Sequence, residues 1–178
     1  MTHSRRTRKP ARPSQTLTQP SSATSGVTLL SDADLYYFNE GTHARLYEKL
    51  GAHPLTIDGV CGTYFAVWAP NATQVCVIGD FNDWCHDSHP LHPREQSGVW
   101  EGFIAQMEAG AVYKYAIHSR HGGYSVDKAD PYGFCHEIPP RTASVVQELW
   151  HDWGDGAWMA ERARRQTLTA PMAIYEMH

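Results

Sequence analysis

The chain has 178 residues, with 15 Lys and Arg against 19 Asp and Glu and a formal net charge of −4. That length allows one domain with a core that needs no covalent staples, and no run approaches the ~20 apolar residues of a membrane span. The charge is uneven: residues 1–30 hold Arg5, Arg6, Arg8, Lys9 and Arg12 and no acid, leaving ten bases against nineteen acids beyond them, so the body is a poor candidate for binding nucleic acid or an anionic membrane.

Residues 1–30 read as a disordered basic tail, too polar to bury a core. Pro10, Pro13 and Pro20 tell against the amphipathic helix of an organelle transit peptide, and no apolar stretch suggests a secretory signal. Residues 31–58 read as a helical lead-in. Ser31-Asp-Ala-Asp34 is a Ser-x-x-Asp start signal, Leu35 to Phe38 follow, and Gly41 ends the helix. Thr42 is placed to cap a second helix through Leu46, Tyr47 and Leu50, with Gly51 at its end and Pro54 closing it.

From residue 59 to 149 the period changes to that of strands. Tyr64, Ala66 and Trp68 alternate with Phe65 and Val67, and Trp68 is assigned to the core. Further strands are expected over 73–79, 98–105, 111–119 and 142–149. In the fourth of these five, Tyr113, Tyr115 and Ile117 share one face, and Val112, Lys114, Ala116 and His118 the other. Turn signals lie between them at 69–72, 97–98 and 122–123. The spacing predicts an all-β core, an immunoglobulin-like antiparallel β-sandwich of roughly seven strands. Residues 150–171 read as a linker with a short helix near 158–165 capped by Asp155. Residues 172–178 follow Pro171 as an apolar strand. Cys61, Cys76, Cys85 and Cys135 contain no Cys-x-x-Cys pair and read as reduced, packed thiols of a cytoplasmic protein.

Three segments together resemble one family. Gly62-Thr-Tyr-Phe-Ala-Val-Trp-Ala-Pro-Asn-Ala72, followed by Gly79-Asp-Phe-Asn-Asp-Trp84, resembles the glycogen- and starch-binding module (carbohydrate-binding module family 48) that precedes α-amylase-superfamily barrels. Gly41-Thr-His-Ala-Arg-Leu-Tyr-Glu-Lys-Leu-Gly-Ala-His-Pro54 resembles the lead-in of bacterial 1,4-α-glucan branching enzymes. Lys128-Ala-Asp-Pro-Tyr132, Thr142-Ala-Ser-Val-Val146 and Pro171-Met-Ala-Ile-Tyr-Glu-Met-His178 resemble the module end and first barrel strand of the same enzymes. On this resemblance the chain is an N-terminal portion, and residues 172–178 are the first strand of a (β/α)8 barrel whose remainder is missing.

The resemblance implies a retaining transfer of an α-1,4-linked glucan to an α-1,6 branch. Such chemistry uses two carboxylates about 5–5.5 Å apart, at the C-terminal ends of barrel strands. No catalytic residue is therefore expected within 1–178. Asp127 with Asp130, and Asp152 with Asp155, read as solvated loop or turn-cap acids, and Glu176 shares a strand face with His178.

What remains is sugar binding. A pyranose presents an apolar C–H face that packs on a flat aromatic ring, with hydroxyls that seek polar atoms at the ring's edge. The resemblance assigns Trp84 as such a platform and Lys114 as a hydroxyl contact, and maps a second aromatic loosely onto Tyr124. Trp100 is a further candidate. The expected partner is α-glucan, glycogen or amylose, with no cofactor. Cys85, His86, Asp87, His89 and His92 crowd one loop, but their spacing matches no closed metal site, so no metal is expected. The competing expectations are a free-standing glycogen-binding regulatory or scaffolding protein and a sandwich used only for protein contacts.

Overall fold

The computed structural model describes residues 23, 24 and 26–178. Most of the expected basic tail lies outside these residues. The chain divides into two units, Met1–Glu148 and Leu149–His178.

The first unit is a two-sheet antiparallel sandwich, as the alternation predicts. One sheet is built from β1 (Gly51–Ile57), β2 (Val60–Trp68), β4 (His92–Pro93) and β5 (Val99–Ala105) in the order β1-β2-β5-β4. The other holds β3 (Ala72–Gly79), β6 (Val112–Ser119), β7 (Ser125–Lys128), β8 (Cys135–His136) and β9 (Ser144–Val145). Its order is β3-β6-β9-β8, with β7 also paired to β6.

Period-2 alternation explains how the sheets pack. Phe65 and Val67 of β2, Val75 and Val77 of β3, Ile104 of β5 and Tyr113 and Tyr115 of β6 fill the space between the sheets. Tyr64 and Ala66 point the other way, into a second cluster with Leu30, Leu50, Val99 and Phe103. β2 is thus buried on both faces over residues 63–67, which is why it reads as an almost unbroken apolar run.

The second cluster is roofed by the lead-in. Helix α1 (Asp32–Glu40) starts at Ser31, whose hydroxyl accepts from Asp34 N while the Asp34 carboxylate accepts from Ser31 N. Gly41 closes it with φ 74°, a left-handed conformation that suits glycine. Leu35 and Phe38 pack onto the cluster.

The structure corrects four boundaries. The tail ends earlier than residue 30: Thr24 exchanges backbone hydrogen bonds with Phe103, and Leu30 is buried in the second cluster. The second lead-in helix is only a 3-10 turn, Leu46–Glu48. The lead-in stops at residue 50, because 51–57 pairs with β2 as a strand. Pro54 is tolerated there because β1 is an edge strand, where a missing N–H breaks no ladder. The expected strand 142–149 shrinks to β9.

The second unit holds α2 (Gly156–Arg165), at the expected place, although the Asp155 side chain makes no capping hydrogen bond. Residues 172–178 are not a strand. No described strand pairs with them, and a strand requires a partner for its backbone groups. Met172, Ile174, Tyr175 and Met177 are all at least 80% exposed. Among the described residues no helix is long and apolar enough to cross a membrane.

Candidate functional site

The segment after β3 sets the site. At Gly79 a side chain would meet Val112 O at 2.1 Å and the Phe81 ring at 2.5 Å, so only glycine lets β3, β6 and Phe81 approach so closely. A 3-10 turn, Asp80–Asn82, follows. Asn82 ties it down. Its Oδ1 accepts from Gly79 N at 2.9 Å, and its Nδ2 donates to Val77 O at 3.0 Å and to Ser88 Oγ at 2.6 Å. Asp83 and Trp84 then take φ of 52° and 57°. Trp84 is held by its N–H to Gly79 O at 3.0 Å and by its indole Nε1–H to Asp80 Oδ1 at 2.8 Å. Trp84 is 36% exposed.

Beyond Trp84 the loop crosses the outer face of the second sheet, where Cys76, Ile78 and Ala116 form a small buried cluster. Burial there pushes the Cys76 thiol pKa up, and the nearby Asp87 and Cys85 add to the shift. His86 Nε2 lies 3.3 Å from Asp127 Oδ2 on β7. Lys114 stands on the same face, opposite Ile78. Its Nζ donates to Thr142 Oγ1 at 2.8 Å. Trp84 and Lys114 are therefore brought to the same end of the sheet, next to the Gly79–Tyr113 pairing.

The other two expected aromatics are not brought there. Trp100 is only partly exposed, packs against the inter-sheet core, and spends its Nε1–H on Ala69 O at 3.1 Å. Tyr124 follows the hairpin turn after β6, and its carbonyl accepts from Ser119 N. Ser119 pairs with Ala72, six residues along β6 from the Tyr113–Gly79 pair. That is about 20 Å at ~3.3 Å per residue. On β7 it is Asp127, not an aromatic, that faces the Trp84 loop. Sequence spacing concealed this because the hairpin's length decides which residue reaches the face.

Trp68 is also corrected. It is 53% exposed rather than core, with Phe38 edge-on to its ring at 5.8 Å between centroids. It stands at the end of β2, on the face shared with Tyr64 and Ala66 that turns away from the inter-sheet core. Trp68 lines a hollow of about 240 Å³ together with Pro70, Ile117, Tyr124 and Val126.

The acids behave differently from one another. Asp127 is partly exposed and pairs with His86, as a surface acid would. Asp130 is not solvated: it is 2% exposed. Its Oδ2 accepts from Tyr113 OH at 2.7 Å and Tyr115 OH at 2.9 Å, and its Oδ1 from Tyr132 N at 2.8 Å. Burial raises its pKa, against the pull of those three donors. The clue was the run Tyr113-x-Tyr115, since two inward tyrosines require buried acceptors. Of the cysteines only Cys76 is buried; Cys61 and Cys85 are exposed, and all four are free. Among the described residues no group of three His, Cys, Asp or Glu could hold a metal ion.

Residues 49–133 match the family described as Carbohydrate-binding module 48 (Isoamylase N-terminal domain). The matched stretch holds most of the sandwich, from β1 through β7, together with the glycine-started Trp84 loop. Over a longer stretch the chain is similar to the 1,4-alpha-glucan branching enzymes GlgB. It is 54% identical over 151 residues to that of Rubrobacter xylanophilus, covering 84% of this chain and 21% of the enzyme. With that of Albidiferax ferrireducens the identity is 53% over 149 residues, covering 83% and 23%. The chain therefore spans roughly a fifth of the length of these curated relatives, in their N-terminal region. A solved ligand-free structure of PulA from Klebsiella pneumoniae is similar at 27% identity and a TM-score of 0.44, covering 56% of this chain and 10% of that chain.

Proposed function

We propose that this chain is the glucan-holding N-terminal portion of a 1,4-α-glucan branching enzyme of glycogen biosynthesis, acting in the cytoplasm. By itself it binds α-glucan and breaks no bond. The observation that carries the reading is the Trp84 platform within a carbohydrate-binding module 48 sequence. A bulky residue at φ 57° is a backbone outlier, and such strain persists only where surrounding contacts hold it. Here Asn82, Asp80 and Gly79 supply those contacts and hold a partly exposed ring in place. Lys114, at the same end of the sheet, supplies a donor for hydroxyls. Tyr124 and Trp100 do not belong to this platform.

The catalytic carboxylates of the whole enzyme are assigned to an α-amylase-superfamily barrel outside residues 1–178. Residues 149–178 support this reading, since their apolar side chains lie open to solvent. Leu149, Trp150 and Trp153 are each at least 66% exposed, as expected of surface that a further domain covers.

Affinity electrophoresis through glycogen-containing gels tests the binding. The chain is expected to be retarded, and Trp84→Ala to lose most of that retardation, an effect of about tenfold in affinity for one stacked ring. Equal mobility of both forms, unchanged by glycogen, rejects the proposal. New α-1,6 links formed from amylose by this chain alone reject its non-catalytic part.

A further inference from the structure

A hollow lies beside Trp68, apart from the Trp84 platform. Trp68 and Tyr124 come from opposite sheets and are both more than half exposed. Together with Pro70, Ile117 and Val126 they wall about 240 Å³. That volume is below the usual drug-sized pocket of roughly 300–1,000 Å³ and is of the order of a single hexose ring.

The Trp68 ring is fixed before any ligand arrives. Phe38 meets it edge-on, and the backbone presses against it at Gly98. A side chain at Gly98 would lie 2.8 Å from Pro70 Cβ and 3.0 Å from Trp68 Nε1. Gly98 also has φ 78°, so glycine is required there for two reasons. Pro70 is held in turn by Arg120, whose Nη2 donates to Pro70 O at 2.7 Å.

The chemistry of the walls selects the ligand. No acid or base lines the hollow. Asn71 and Ser119 are among its lining residues. An aromatic platform with amide and hydroxyl groups beside it matches a pyranose, apolar on its face and hydroxylated at its edge. We infer that Trp68 and Tyr124 form a second α-glucan subsite, separate from the Trp84 platform and at the opposite end of β6. It rests on the reading of the chain as a glucan binder. Two subsites about 20 Å apart along the strand would let one long glucan, or two branches of one particle, engage both, so that a polymer is held more tightly than its short oligomers.

The test compares Trp68→Ala, Tyr124→Ala and Trp84→Ala in the full chain, by glycogen affinity electrophoresis and by titration with maltoheptaose. Trp68→Ala and Tyr124→Ala are each expected to weaken glycogen binding about tenfold while Trp84 is intact. Wild-type retardation in both variants, with loss in Trp84→Ala, overturns the second subsite and leaves the glucan-binding function standing. No retardation of the unaltered chain overturns both. Should Trp68→Ala unfold, Tyr124→Ala decides, because that side chain is exposed after a hairpin turn and its removal leaves the core untouched.

Discussion

Asp130 is the residue on which the module's interior converges. It brings β6, through two tyrosine hydroxyls, together with the segment leading to β8. Its own N–H donates to Ser144 Oγ of β9 at 2.9 Å. Tyr113 and Tyr115 are fully buried, so burial, with Asp130 beside each hydroxyl, pushes their pKa values far up. Removing the acceptor strands two hydroxyls in an apolar core, at about 1–3 kcal/mol for each group left unsatisfied. Asp130→Ala is expected to lower unfolding free energy by on the order of 3 kcal/mol in denaturant melts, whereas Asp127→Ala, on the surface, changes it by under about 1 kcal/mol. Equal effects of the two substitutions would show that the buried network is not what distinguishes them.

At the scale of elements, α1 is secured by the Ser31–Asp34 cap and by two further partners. Asp34 Oδ1 meets His43 Nε2 at 2.9 Å, and its Oδ2 lies 3.3 Å from Lys49 Nζ. Partial burial opposes ionisation of Asp34, but the hydrogen bonds from His43, Ser31 and Lys49 outweigh it and hold the pKa far below the ordinary 3.8. A depressed acid stabilises the fold above its unfolded value and loses that contribution as pH falls through the folded one. Thermal stability should therefore fall more steeply below pH ~3.8 in the wild type than in Asp34→Ala. Asp130, shifted upward, contributes with the opposite sign in both proteins and cancels in the comparison. Identical acid limbs for the two proteins would refute the assignment.

The same elements show what can be read from residue order. β2, β3, β5 and β6 were legible because each is a run of seven or more residues rich in β-branched and aromatic side chains. The α1 cap was legible because its donor and acceptor lie three residues apart. β1 was not, since Gly51 and Pro54 mimic a helix end, and only pairing with β2 overrides that local preference. β8 and β9 are two residues each, too short for any period to register. Of the candidate site, Trp84 came from a motif whose local turn fixes its place, and Lys114 from β6, whose pairing with β3 sets it beside that turn. Tyr124 could not be placed because the length of its hairpin decides where it stands, and Trp68 because strand alternation does not say how far along its face the covering lead-in reaches.

For the molecule as a whole, burial is concentrated in the first unit. No residue from 149 to 178 is buried, and Leu168, Met172, Ile174, Tyr175 and Met177 are each at least 80% exposed. Exposed apolar groups in such density promote self-association. Deleting residues 166–178 is expected to raise the soluble fraction on expression and to leave glycogen retardation unchanged. A less soluble product would show that this segment protects the chain instead.

Pro54 has a consequence for how such modules sit beside one another. β1 is the open margin of its sheet, seven residues long, long enough for another polypeptide to zip onto it. A proline midway along that margin offers no N–H to the newcomer, so the growing ladder is interrupted before it extends. Many copies crowded together can therefore sit side by side without knitting into fibres along this margin.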